Sequence, residues 1–302
     1  MSVPSEPAAP AHAPFPDDAL PSGRVHAEVA ARTHSGSRPN NEDAYGIYRI
    51  GRFLERVSSN VSTDAAPGRY EDSGNLLVVA DGLGGAGGGE VASATALRSI
   101  VDMVLRSPKW ALKLDDPETR DAEIESLMTR SRGYLQRMHA LIREQQASDP
   151  RLAQMGTTLT AAYTVGLDLF VLHVGDSRAY VLRRGRLHRI THGHTLAQQY
   201  ADHGVLPQAA VDAHPLAHVL TRAVGAPVDT LEVDTHHGGI EHEDRLLLCS
   251  DGLTKIANDD EIAGVLHGAQ GSDAACAALI DLALARGAPD NVTVVVATFS
   301  VS

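Results

Sequence analysis

Leu76-Leu77-Val78-Val79-Ala80-Asp81-Gly82-Leu83-Gly84-Gly85-Ala86-Gly87-Gly88-Gly89-Glu90 runs from an apolar stretch through a glycine-rich one into a helical pattern. Five apolar residues in succession suit a strand covered on both faces. Glu90 suits the first turn of a helix continuing to Arg106, where an acid meets the positive end of the dipole. Gly82, Gly84 and Gly87 have the GxGxxG spacing of a dinucleotide-binding turn, which would make this a parallel, doubly wound protein. Two residues speak against that reading. Asp81 would set a carboxylate beside the pyrophosphate, and Asp102, the acid about twenty residues on, falls inside the helical pattern where a second strand is required. The glycines are read instead as a loop that folds tightly around metal-bound groups.

Outward from this stretch, apolar runs of strand length recur at residues 25–31, 159–165, 169–174, 179–183, 246–249 and 292–299. Gly166-Leu167-Asp168 joins two of them, and Arg184-Gly185 turns residues 179–183 back into 187–190. Links this short make antiparallel neighbours, since a parallel crossover needs about a dozen residues or more. Helical spacing covers residues 90–106, 120–146, 195–203 and 273–285, with Gly287 just beyond the last as a stop. Hairpins grouped between long helices are the order of an α+β protein, not of alternating βαβ units. Residues 51–75, rich in Ser, Asn, Asp and Gly, are read as an exposed loop or irregular hairpin ahead of the core strand.

A chain of 302 residues, 43% of them hydrophobic, can bury one large core, and residues 23–302 are read as a single domain. Residues 1–22 hold six of the fifteen prolines and neither a cationic start nor a long apolar run, and are read as a disordered tail. A formal charge of -12 offers no basic surface for a phosphate backbone, so nucleic acid is excluded as a partner. The longest apolar runs fall short of the roughly 18 residues that span a bilayer, so no membrane contact is expected. Cys249 and Cys276 make neither a CxxC pair nor a zinc framework, which suits buried thiols in the reducing cytoplasm.

Candidate chemistry lies in carboxylates at strand ends. Asp81 and Asp251 follow apolar strands, Asp176 follows Gly175, and Asp290 precedes Asn291 and the run from Val292. Taken singly, each reads as a turn residue hydrogen-bonding its own backbone. Taken as a cluster, they would repel one another unless hard cations neutralised them, and an all-oxygen set selects Mg²⁺, Mn²⁺ or Ca²⁺ over Zn²⁺. Arg38-Pro39-Asn40-Asn41-Glu42-Asp43 adds one guanidinium, suited to bidentate phosphate capture, and two more acids. The run His236-His237-Gly238-Gly239-Ile240-Glu241-His242 has residue types that suit zinc but fits neither HExxH nor a finger, and is read as a solvated turn. His192 and His194 are read as surface residues.

Read in order, Arg38, Asn41-Glu42-Asp43, Asp81-Gly82-Leu83-Gly84-Gly85, Gly89-Glu90-Val91-Ala92-Ser93, Gly156-Thr157-Thr158, Gly175-Asp176-Ser177-Arg178, Ser250-Asp251-Gly252 and Asp290-Asn291 resemble the metal-dependent protein phosphatases, PPM or type 2C, from about residue 24 to 300. The resemblance implies a four-layer sandwich, with two central antiparallel sheets flanked by helices and metals in a cleft at one end. It implies Mn²⁺ or Mg²⁺ as cofactor, two ions and a third, weaker one. Asp81 would bridge two metals, the Gly82 carbonyl would bind one of them, and Asp251 and Asp290 the other. Asp43 would support the site through metal-bound water. Glu42 stands where some relatives have a direct ligand and many bacterial members a glutamine. Asp176 would help Asp251 hold the third ion, and Arg38 would grip the substrate phosphate. The implied reaction is hydrolysis of phosphoserine and phosphothreonine by direct attack of metal-activated water, with no protein nucleophile.

Two departures from the family pattern stand out. Leu83 occupies the place where some relatives carry a histidine acting as general acid, and His192-Gly193-His194-Thr195 replaces an acidic-Asp-His-Ser run ahead of the flap. Phosphorylated proteins are the expected partners, with a serine/threonine kinase as counterpart. The alternative is a catalytically silent module that keeps the fold for binding or signalling, and a phosphatase devoted to one small phosphorylated regulator is a third reading.

Overall fold

The computed structural model describes residues 25–58, 69–84, 87–106, 114 and 116–301; the tail read over residues 1–22 lies outside them. One sheet holds β1 (Val25–His34), β7 (Arg178–Arg183), β8 (Arg186–Arg189), β10 (Arg245–Cys249) and β11 (Val292–Val301), in the order β1-β11-β10-β7-β8. The other holds β2 (Asp43–Glu55), β3 (Arg69–Leu83), β5 (Leu159–Val165), β6 (Asp168–Val174) and β9 (Asp234–Gly239) in that order, with the short β4 (Gly156–Thr157) beside the end of β3. Every pairing is antiparallel. Turn chemistry explains the tight links: Gly166 turns β5 into β6 at φ 53°, and Arg184 (51°) and Gly185 (76°) turn β7 into β8.

Alternation along β3 shows why the sheets stack. Leu77 and Val79 pack against Leu246, Leu248, Val295 and Phe299 of the facing sheet. Leu76, Val78 and Ala80 point the other way, onto Ala92, Ala96 and Ile100 of α1 (Gly88–Arg106) and Leu135, Met138 and Ile142 of α2 (Arg120–Ser148). On the opposite outer face, Leu247, Cys249, Val294 and Val296 meet α5 (Asp259–Gly268) and α6 (Ser272–Ala285). Two shorter helices, α3 (Leu196–Asp202) and α4 (Asp251–Thr254), lie in the connections. The result is the expected α+β sandwich of two sheets between helical layers. Among the described residues no helix is long and apolar enough to cross a membrane.

Three differences from the sequence reading have physical causes. Of the loop or irregular hairpin read over 51–75, residues 51–55 and 69–75 are regular strand, the outer rungs of a ladder whose pairing runs from Asp43↔Asp81 to Glu55↔Arg69. His236 and His237 are no solvated turn: they sit in β9, where His237 Nε2 meets Asp168 Oδ1 at 2.7 Å and its ring stacks on Phe170. His194 is buried, with Nδ1 accepting from the Gly175 amide at 3.0 Å and Nε2 3.1 Å from Asp234. His192 does lie at the surface, paired with Asp202.

Candidate metal centre

Antiparallel order dictates where the carboxylates meet. The C-terminal ends of β3, β6 and β10 and the N-terminal ends of β2 and β11 all lie at one end of the sandwich. Asp43 and Asp81 are direct cross-strand partners. Asp176 follows β6, Asp251 opens α4 after β10, and Asp290 stands just before β11. Glu42, Asp81, Asp176, Asp251 and Asp290 line one cleft of about 390 Å³ with Arg38 and the Gly82 backbone. Asp43 joins them from beneath, accepting from Ser250 Oγ at 2.7 Å across the two sheets.

Backbone contacts hold these residues in place. Asp81 donates its amide to Thr158 Oγ1 (3.0 Å), and its carbonyl accepts from the Thr158 amide (2.8 Å) and Thr157 Oγ1 (2.9 Å). Thr158 Oγ1 also shares a 2.8 Å hydrogen bond with Ser177 Oγ beside Asp176. Asn291 ties its own turn to the β1–β2 loop at three points: Oδ1 accepts from the Glu42 amide (2.8 Å), while Nδ2 donates to Ser35 (2.9 Å) and Asn40 (2.8 Å) carbonyls. A Cβ on Gly252 would lie 1.9 Å from the Asn291 carbonyl oxygen, so only glycine lets the Asp251 turn approach the Asp290 turn.

The electrostatics are those of an under-neutralised cation site. Burial, then the charges of Asp43 and Asp251, pushes Asp81 well above the ordinary carboxylate range. Burial and the Asp251 charge push Asp176 up to about 8. Burial, opposed by hydrogen bonds from Ser250 and Thr293, pushes Asp43 up to about 6. Glu42 is likewise raised by burial. Asp43 Oδ1 is buried with no hydrogen-bond partner among the described residues. A buried carboxylate oxygen left unpaired, beside carboxylates held reluctant to ionise, fits a divalent cation or its bound water.

These shifts carry a sign for the metal-free protein. A carboxylate raised above its ordinary 3.8 stabilises the fold below that pH, and the contribution is lost as pH rises through about 6 for Asp43 and about 8 for Asp176. The melting temperature of EDTA-treated protein is therefore expected to rise on going from about pH 8 to about pH 5.5. With excess Mn²⁺ the trend should reverse, because metal ligation requires the ionised carboxylates. Differential scanning fluorimetry checks both; a metal-free melting temperature that falls over this window would remove the charged-cluster account.

Arg38, Glu42, Asp43, Asp81, Gly82, Asp176, Asp251 and Asp290 all converge here, but not alone. Arg38 stands at the rim with Nε 3.0 Å from Asp290 Oδ1 and its side chain 57% exposed. Leu83 ends β3 on the cleft wall and supplies no proton. Sequence reasoning gave no role to Lys255, whose Nζ lies 2.6 Å from Asp251 Oδ2 and 2.7 Å from Asp290 Oδ2. Its spacing of four from Asp251 was the available signal. His218, from the connection between α3 and β9, was also missed. It brings Nδ1 3.7 Å from Asp251 Oδ2, and Asp176, His218 and Asp251 offer ligand atoms all within 4.8 Å of one another. Nothing local in the sequence marks it.

Comparison with known proteins agrees with this geometry. A family model described as protein phosphatase 2C matches residues 55–267. The serine/threonine protein phosphatase PstP of Mycobacterium tuberculosis is 37% identical over 224 residues, which cover 74% of this chain and 40% of that protein. The match thus spans less than half the length of that relative. The serine/threonine phosphatase stp of Listeria welshimeri is 32% identical over 271 residues, covering 89% of this chain and 94% of that one. Among solved structures, the catalytic domain of PstP in complex with two manganese ions superimposes with a TM-score of 0.68 at 31% identity, covering 92% of this chain and 100% of that one.

Proposed function

Because this chain belongs to the protein phosphatase 2C family, we propose that it is a divalent-metal-dependent protein serine/threonine phosphatase that hydrolyses phosphoserine and phosphothreonine by attack of water. The observation that carries the reading is the convergence of Asp43, Asp81, Asp176, Asp251 and Asp290 at one end of the sandwich, beside an arginine fork. The manganese reported with the PstP catalytic domain supports Mn²⁺ as an occupant, and Mg²⁺ suits the same oxygen donors.

Asp81 and the Gly82 carbonyl would hold one ion and Asp81, Asp251 and Asp290 a second, with Asp43 supporting from below and Glu42 from the cleft wall. Asp176 and Asp251, with His218 beside them, would hold a third. When bound, such ions lower the pKa of a shared water and offset charge on the phosphoryl oxygens. Arg38 would swing from Asp290 to grip the phosphate, since its exposed guanidinium presents two parallel donors. Thr158 and Asn291 keep the carboxylates in register. With Leu83 on the wall supplying no proton, the departing serine or threonine oxygen takes one from water or from another group of the cleft.

Phosphorylated proteins as substrates, a serine/threonine kinase as counterpart, and a role in signal transduction belong to the same proposal. A cytoplasmic location rests on Cys249 and Cys276, both buried free thiols. Purified protein stripped with EDTA is expected to release no phosphate from a phosphothreonine peptide and to regain release with added Mn²⁺. No release with any divalent metal would favour the silent binding module instead.

A further inference from the structure

Lys255 sits where a cation is wanted. It follows α4 one turn after Asp251, and its amide donates to the Asp251 carbonyl, so its backbone position is set by the same turn that presents Asp251. The ammonium spans two loops, reaching Oδ2 of Asp251 at 2.6 Å and Oδ2 of Asp290 at 2.7 Å with its side chain 20% exposed. Burial opposes its charge, yet Asp251 and Asp290 hold its pKa above the ordinary lysine value. Along the cleft, Glu42, Asp81, Asp176, Asp251 and Asp290 face two permanent cations, Arg38 and Lys255. Among the described residues Arg38 pairs with Asp290 alone of these carboxylates, whereas Lys255 joins Asp290 to Asp251. The oxygens Lys255 uses are those an ion between these two carboxylates would need. A divalent ion at its usual oxygen distance of about 2.1 Å would stand within a few ångströms of the ammonium, where like charges repel.

We propose that Lys255 is a resident cation of the metal centre: it holds Asp251 and Asp290 together in the metal-free protein and competes with the ion these carboxylates bind. The chain then loads its ions in order, the Asp81 and Gly82 position first and the Asp251 and Asp290 position only at higher free metal. The inference rests on the metal-centre reading above and makes Lys255 a positioning residue that sets the metal concentration at which the centre is complete.

Mn²⁺ alone tests this, titrated into the EDTA-treated full chain and followed by calorimetry and by the electron paramagnetic resonance signal of free Mn²⁺. Wild type is expected to show a tight and a weak class of sites. In Lys255→Met the weak class should tighten about tenfold or more. The metal-free melting temperature should fall, while the Mn²⁺-saturated one does not. Lys255→Arg should keep the weak class. Lys255→Gln, neutral but able to donate to both carboxylates, should tighten it, which separates charge from hydrogen bonding if the methionine variant does not fold. An unchanged or weakened second class in a folded neutral variant overturns the proposal and leaves the metal centre standing. No Mn²⁺ binding to wild type overturns the metal centre, and this proposal with it.

Discussion

Asp81→Asn is expected to lower kcat/KM for a phosphothreonine peptide at saturating Mn²⁺ by at least about a thousandfold, a loss of about 4 kcal/mol of transition-state stabilisation. Asp81 is the ligand proposed to touch both ions, so asparagine removes a negative charge and an anionic oxygen where both are needed. The opposite sign is expected for the metal-free fold. Burial and the charges of Asp43 and Asp251 already disfavour the ionised Asp81 carboxylate, so a neutral amide relieves the repulsion. The EDTA-treated variant should melt about 2 °C or more above wild type and lose the stabilisation that wild type gains from Mn²⁺. Steady-state kinetics and thermal shift read the two effects separately. A variant that keeps activity within about tenfold would remove Asp81 from the chemistry; one that is inactive but melts below wild type without metal would make its role structural.

Strands covered on both faces, such as 76–80, 159–165 and 292–299, announce themselves by continuous apolar runs, and the sheets form where those runs predict. β2 and β9 were missed because their cross-strand partners, and not their own pattern, make them strands. Asp234-Thr235-His236-His237 is polar, and along β2 Gly46 and Arg49 interrupt Tyr45, Ile47, Tyr48 and Ile50, so neighbouring β6 and β3 supply the pairing. α5 was legible and overlooked: Asn258 and Glu261 form a capping box, with the Glu261 amide donating to Asn258 Oδ1 at 3.0 Å. Asp81, Asp176 and Asp251 were legible as motifs because each ends an apolar run beside a glycine, and Asp290 because it precedes one. Their convergence was not, since it depends on antiparallel order. His194 shows the same limit. Gly175, Arg222 and Asp234, far apart in sequence, bury and bond it, so exposure inferred from its polar neighbours was wrong.

The second large effect lies in backbone and not in charge. Gly82→Ala would put a Cβ 2.2 Å from the Gly89 carbonyl oxygen and 2.6 Å from that of Glu42, both main-chain atoms that cannot rotate away. The Gly82 amide itself donates to the Glu42 carbonyl at 3.2 Å, and Ser93 Oγ donates to the same oxygen at 2.7 Å. The end of β3, the start of α1 and the residue before β2 are thus locked at van der Waals distance around a position with no side chain. Opening that contact by the width of a methyl group costs about 3 kcal/mol or more. The melting temperature should fall by about 6 °C or more. Phosphatase activity should fall further than stability explains, because the Gly82 carbonyl is a proposed ligand and moves with the strand. Gly264→Ala, in α5 with nothing within 4 Å of the added carbon, is the control and should leave activity intact while stabilising the helix by about 0.5–1 kcal/mol. If Gly82→Ala instead folds with wild-type stability and full Mn²⁺-dependent activity, the close packing of these three segments is not what shapes the site.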